Sequence, residues 1–338
     1  MAKRLGCAVP IRQRTSCFLR PRLNHANTSG MRSLVAEVLI AVPVVLGVAA
    51  SSGTAVAGPD SVSDMLGPRE IAVGEALRGA ATGSSGTELN PSSIGLNREL
   101  VFEGGYGYRG ADSASLIGVS ACDSTNALPG CFFYDYAGSN PQLGDMTLHR
   151  TTHVAGVALS RMVVPRVLIG ATARYYDFSS DMAGDTSGSG TTFDLGATVR
   201  LTNSINFGFS GQNLYSTTRS PEFPRTLGGG LYARPVAPLA LSFDARWRVE
   251  GSDRSARFGG GADLFLSGSD SQDGYSLRGG ALHDNGLGAT YLSAGLGFAS
   301  MSWGLDVAGR RQVKGGDETL IIASMRVFGP RLPASGVE

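Results

Sequence analysis

The sequence predicts an all-β fold, a 14-stranded antiparallel transmembrane β-barrel with a short N-terminal plug or hatch segment. Three observations predict it. Apolar and polar residues alternate with a period of two from about Glu99 to Phe328. The alternating segments run to roughly ten to thirteen residues, longer than the five or six usual in soluble sheets and close to what a membrane strand needs. Their number is even, and short connections recur on one side, the asymmetry of bacterial outer-membrane barrels.

The alternation is clearest in three runs. In Arg166–Tyr176, Val167, Ile169, Ala171, Ala173 and Tyr175 oppose Arg166, Gly170, Thr172, Arg174 and Tyr176. Phe193, Leu195, Ala197, Val199 and Leu201 oppose Asp194, Gly196, Thr198 and Arg200. Leu239, Leu241, Phe243, Ala245, Trp247 and Val249 oppose Ser242, Asp244, Arg246, Arg248 and Glu250. Successive strand side chains point to opposite faces, so each run has one apolar and one charged face. On a helix the same residues would circle the axis without forming a stripe. The expected strands are 99–109, 113–121, 131–138, 149–161, 166–177, 191–202, 205–216, 224–234, 238–250, 255–267, 273–282, 288–299, 301–311 and 318–328. With the first running outward, the inner turns include the short steps at Val163–Pro165, Asn203–Ser204, Pro235–Ala237 and Ser300. The outer loops include the polar stretches Ser139–Thr147 and Ser179–Gly190. A secreted β-sandwich is the competing fold, since it also buries one face of each strand. Strand length weighs against it, as do Tyr106, Tyr108, Tyr175, Tyr215 and Trp303 near strand ends, where an interfacial girdle belongs.

Composition fits. The 338 residues carry a net charge of +1, 17% charged and 42% hydrophobic residues, which excludes a basic nucleic-acid binder and a disordered chain. The 48 glycines exceed the usual share and fall inside alternating runs, as expected of strands that bend and pack closely. Gly259-Gly260-Gly261 reads as such a bend and not as a phosphate cradle.

Ahead of the strands, Val38–Ala50 is an apolar run too short for a spanning helix. Arg32 precedes it and Ala55-Val56-Ala57 follows as a cleavage site, so 1–57 reads as a signal region with a start at Met31 and cleavage after Ala57. Residues 58–98 lack alternation. A short helix over Pro68–Leu77 and a small-residue turn over Gly79–Gly86 are expected there. A barrel of this size encloses more space than its own side chains fill, so 58–98 is a candidate plug. Strands occupy 99–328, and 329–338 form a tail.

The order Ile71-Ala72-Val73-Gly74-Glu75-Ala76, a Gly/Ala run, Leu89-Asn90-Pro91-Ser92-Ser93-Ile94-Gly95-Leu96 and Phe102-Glu103-Gly104-Gly105-Tyr106 resembles the hatch and first strand of the long-chain fatty-acid transporter (FadL-like) superfamily, which includes PorV-like barrels. Gly211-Gln212-Asn213-Leu214, Gly228–Tyr232, Phe243-Asp244 and Trp303-Gly304-Leu305-Asp306-Val307-Ala308 extend the resemblance over residues 65–328. It implies fourteen strands, a hatch carrying Asn90, Pro91, Gly95 and Leu96, and either of two roles. One is passive uptake of fatty acid or another hydrophobic or amphipathic small molecule. The alternative is a non-transporting barrel that assists a secreted protein.

Glu103, Arg109, Arg174, Asp194, Arg200, Asp244, Arg246, Arg248, Glu250, Arg257, Asp263, Arg278, Asp306, Arg310 and Arg326 all fall on expected inner faces. A lipid-facing Arg or Lys at mid-depth would cost about 2–4 kcal/mol, which is why they gather inside. Such a wall can pair with the plug or hold an acidic headgroup. Cys122 and Cys131 flank the turn between the second and third strands. In an exported chain they suit a hairpin disulfide, with two unpaired thiols as the alternative. His149 and His153 share a strand face about 13 Å apart, too far to share a metal. His153 and His283 lack the spacing of a nucleophile–base pair. The sequence thus points to no catalytic, metal or cofactor site, and to outer-membrane lipid as the surrounding partner.

Overall fold

The computed structural model describes residues 65–143, 145–183, 185, 187–218, 223–249, 255–267 and 273–329. The signal region, Glu250 and all of the tail beyond Gly329 lie outside them.

Fourteen strands form one closed antiparallel barrel. They are β1 (Leu100–Arg109), β2 (Ala114–Asp123), β3 (Gly130–Ser139), β4 (Arg150–Val164), β5 (Val167–Ser180), β6 (Gly188–Arg200) and β7 (Ile205–Ser216). They continue as β8 (Thr226–Val236), β9 (Leu239–Arg248), β10 (Ala256–Ser267), β11 (Gly274–Asp284), β12 (Ala289–Ala299), β13 (Trp303–Lys314) and β14 (Thr319–Phe328). Each pairs with its sequence neighbour, and β1 closes on β14 from Val101↔Phe328 to Arg109↔Leu320. Closure leaves no open edge, the condition for a sheet to sit in hydrocarbon. A two-residue ladder, Gln142–Leu143 against Met146–Thr147, decorates the β3–β4 connection.

Side-chain orientation is the reverse of a soluble sheet's. On β5, Leu168 is 1% exposed and its neighbour Ile169 is 48% exposed. The inward set Leu168, Thr172, Arg174, Tyr176 and Phe178 is buried, while Ile169 and Tyr175 face out. Large apolar side chains stand exposed around the wall, among them Phe132, Leu195, Phe209, Phe243, Leu296 and Ile321. Exposed aromatics collect towards both strand ends: Tyr106, Tyr108, Tyr175, Tyr215 and Trp247 at one, Phe102, Phe132, Tyr275 and Trp303 at the other. An apolar belt between aromatic rings is the surface of a transmembrane barrel.

The triplet Gly259-Gly260-Gly261 lies within β10, which keeps unbroken register with β9 and β11. One local expectation is corrected. Arg166, expected on an inner strand face, occupies the β4–β5 turn with φ 72° and is exposed. Register shifts occur at Met162/Val164, Ala233/Val236 and Thr290/Tyr291, and also between β6 and β7. The β6–β7 register shifts between Phe193 and Leu195, where Asn213 takes φ 52° and its N–H donates to the Asp194 carboxylate at 2.7 Å.

The lumen as candidate functional site

Residues 65–98 occupy the lumen. They form helix α1 (Pro68–Ala72), helix α2 (Ser84–Leu89) and the 3-10 helix Pro91–Leu96. Pro68 at the first position suits α1, having no N–H to leave unsatisfied. Part of the expected small-residue turn is helical, since Ser84, Ser85 and Gly86 open α2. This is tertiary override: α2 has no side-chain cap, and Ser85, Gly86, Thr87 and Leu89 are buried. Asn90 ends α2 and caps the next turn, its side chain accepting from the Ser92 N–H at 3.3 Å.

Glycine lets this segment approach the wall. A Cβ on Gly259 would lie 1.9 Å from the Gly74 carbonyl oxygen, and one on Gly280 2.4 Å from the Gly74 nitrogen. A Cβ on Gly208 would lie 2.0 Å from the Arg78 carbonyl oxygen, and one on Gly170 2.4 Å from the Ser92 nitrogen. These strand glycines serve backbone-to-backbone contact, a use that composition alone does not distinguish from bending.

Polar contacts hold the segment on several sides. Asn90, fully buried, donates through its amide to the Arg78 carbonyl at 2.9 Å and to Thr198 Oγ1 at 3.0 Å. Ser93 Oγ also contacts Thr198 Oγ1, at 2.9 Å, and Ser160 Oγ donates to the Ser92 carbonyl at 2.8 Å. Pro91 packs where Gly170 and Gly196 leave room, and Gly95 sits beside Leu168. The Leu96 carbonyl accepts from Arg200 at 2.7 Å.

The inner-face charges named from the sequence are placed as follows. Arg174 meets Glu88 at 3.0 Å and Asp194 at 2.9 Å. Asp244 meets Arg78 at 3.0 Å, and Arg310 meets Glu75 at 3.0 Å. Arg246 lies 3.8 Å from the other Glu75 oxygen. Glu103 accepts from Ser84 and Ser324, with Arg69 3.6 Å away. Asp306 is shared within the wall by Arg278 at 2.5 Å and Arg326 at 2.7 Å. Arg248 ends β9 and Arg257 opens β10, at one end of the barrel. There, with Arg174, Arg246, Leu66, Leu89, Phe223 and Pro224, they line a cavity of about 70 Å³.

Sequence reasoning missed the segment's own charges, Arg69, Glu70, Glu75, Arg78 and Glu88. The signal was the arginine excess on the inner faces, which called for acids from elsewhere in the chain. Glu70 is 1% exposed and neither carboxylate oxygen meets a donor from another residue. Burial pushes its pKa above the usual carboxylate range, with Arg69 opposing the shift and Glu103 reinforcing it. Cys122 and Cys131 face each other across β2 and β3, buried and disulfide-bonded, with Cys131 Sγ 3.7 Å from the Gly83 carbonyl oxygen. The histidines are dispersed. His153 Nδ1 contacts the Tyr134 hydroxyl at 2.8 Å, His283 contacts Thr290, and His149 contacts Asn140.

A closed 14-stranded wall with an apolar outer belt and an occupied, charge-paired lumen defines a transmembrane β-barrel, and its fold is that of transport channels. Among solved structures, the CymD monoaromatic hydrocarbon channel superposes with a TM-score of 0.59 at 13% identity, covering 79% of this chain and 98% of that one. The Pseudomonas putida toluene transporter TodX gives 0.57 at 11% identity, covering 78% and 97%. A Pseudomonas aeruginosa FadL homologue gives 0.61 at 11% identity, covering 77% and 98%. No protein-family model and no curated protein matches the sequence.

Proposed function

We propose that the protein is an outer-membrane channel for passive uptake of small hydrophobic or amphipathic molecules, with residues 65–98 as its plug. One observation carries this reading: the fold matches nearly the whole length of structures described as a hydrocarbon channel and a toluene transporter. The lumen supplies a second support. Its cavity near Phe223 sets apolar side chains beside Arg174, Arg246, Arg248 and Arg257, with Glu88 paired to Arg174; four cations against one carboxylate suit an apolar body with an anionic head. The secretion-partner role gains no comparable support, because the structures it resembles are channels and transporters.

The test is uptake by cells that produce the barrel in the outer membrane, with toluene and a long-chain fatty acid as probes. Folding is checked by the change in gel mobility on boiling. Faster entry of either probe than in cells lacking the protein is expected. A folded barrel that speeds neither, and instead co-purifies with a secreted protein, would overturn the reading.

A further inference from the structure

Two cavities in the lumen share a partition. One is the arginine-lined cavity near Phe223, of about 70 Å³. The other, of about 50 Å³, lies beneath α2 against β1, β2 and β3. Leu66 and Glu88 line both. These two partition residues are held differently. Glu88 has its carboxylate 3.0 Å from Arg174, and its carbonyl accepts from Gln212. Leu66, 4% exposed, belongs to the apolar cluster of Ile71, Leu89, Leu116 and Ile322.

The linings differ in charge. The cavity near Phe223 sets Arg174, Arg246, Arg248 and Arg257 against Glu88. Among the described residues, no Arg, Lys or His lines the cavity beneath α2. Its walls are mainly apolar, and the ionisable carboxyls on it are Glu88, Glu103 and Asp135. An anionic head is therefore matched in the first cavity and unmatched in the second. Moving it past Leu66 would strip its counter-charges without returning it to water, and burying an unpaired charge is costly. An uncharged apolar solute meets no such barrier and gains from the apolar walls.

We infer that the step between the two cavities is a charge filter with Leu66 as its constriction. Small uncharged apolar solutes pass it, while carboxylates of similar size are held among the arginines. This inference rests on the uptake reading and narrows its substrate class. Size marks Leu66 as the constriction. The cavity beneath α2, at about 50 Å³, is well below the roughly 150 Å³ that holds benzene in an engineered protein core. A ring thus enters only as a partition side chain yields. Leu66 gives up apolar contacts to do so, whereas Glu88 would have to leave Arg174.

Toluene and benzoate, one ring without and with a charge, test this in cells that produce the barrel, with folding checked by gel mobility. Relative to cells lacking the protein, wild type should speed toluene entry and not benzoate entry. Excess benzoate should slow toluene by occupying the arginine-lined cavity. Leu66→Trp should cut toluene entry several-fold and Leu66→Ala should raise it, with benzoate excluded by both. Benzoate entering as fast as toluene, or toluene entry indifferent to both substitutions, would overturn the filter and leave uptake standing. If wild type speeds neither probe, the uptake reading itself fails and the filter falls with it. Should Leu66→Trp fail to fold, Leu66→Ala decides alone, since unchanged toluene entry there refutes the constriction.

Discussion

Asp244 accepts from Arg78 twice through one oxygen, from the backbone N–H at 3.0 Å and from the guanidinium at 3.0 Å. Arg78 is 2% exposed and Asp244 3%, so the bond joins the lumen segment to β9 away from bulk water. The contact needs Gly228 and Gly230 on β8, where a Cβ would lie 2.5 Å from Arg78 Nε and 2.0 Å from Asp244 Oδ1. Removing one member of a buried pair strands the other, at a cost of about 3–5 kcal/mol. Asp244→Ala should lose that much stability in denaturant unfolding of the barrel in micelles. Asp244→Asn, which keeps an acceptor, should lose less. Unfolding of Asp244→Ala at the wild-type midpoint would show that the pair does not anchor the segment.

Adjacent glycines on β10 should respond oppositely to the same methyl group. At Gly259 a Cβ would strike the Gly74 carbonyl, whereas at Gly260 the nearest atom is 3.5 Å away, ordinary contact distance. Gly259→Ala is therefore expected to destabilise by about 1–3 kcal/mol through overpacking, with Gly260→Ala close to neutral. Comparing thermal midpoints of the two folded variants checks this. Equal tolerance would place the lumen segment away from β10.

The disulfide joins two strands already in register and closes a short loop, so its contribution is bounded. Replacing Cys122 and Cys131 together by Ser should cost at most about 3 kcal/mol. The barrel should still fold, with a lower midpoint on the boiling-mobility assay and uptake unchanged. Failure to insert at all would assign the bridge a role in assembly beyond stability.

The sequence carried the wall well because each strand obeys one local rule: apolar outward, polar or small inward. That rule placed Arg174, Asp244, Asp306 and Arg310 inside, and the structure buries all four. What it could not carry was partnership. Arg78 and Asp244 lie 166 residues apart, and no local pattern links them. Gly259 and Gly260 are equally alike as letters, yet one touches the lumen segment and the other faces outward. The β6–β7 irregularity at Asn213 was hidden for the same reason, since its carboxylate acceptor, Asp194, sits on the neighbouring strand.

Glu70 should give the lumen segment a pH dependence of definite sign. Its pKa is raised in the folded barrel, chiefly by burial, so the folded state holds a proton that the unfolded chain has released. Stability then falls as pH rises from the ordinary carboxylate value through the folded one. Glu70→Gln removes that loss, so it should raise the thermal midpoint at pH 7 relative to wild type and leave the midpoint near pH 4 little changed. A variant less stable than wild type at pH 7 would mean that the carboxylate is ionised and compensated.

The Phe223 cavity allows charge to be separated from grease in the uptake reading. Arg246 and Arg257 reach it from β9 and β10 while engaging Glu75 and Asp284, so their charge is shared and not abolished. Replacing Arg248 and Arg257 by Gln keeps a polar, hydrogen-bonding side chain, though a shorter one, and removes two cationic donors at the cavity edge. Binding of a long-chain fatty acid should weaken about tenfold, equivalent to about 1.4 kcal/mol, and more at low salt than at high. Toluene, which has no charge for these groups to meet, should enter at the wild-type rate. Equal losses for both probes would mean that the substitutions disturbed the lumen as a whole. An unchanged fatty-acid affinity would remove the arginines from recognition and leave them as structural partners of the lumen acids.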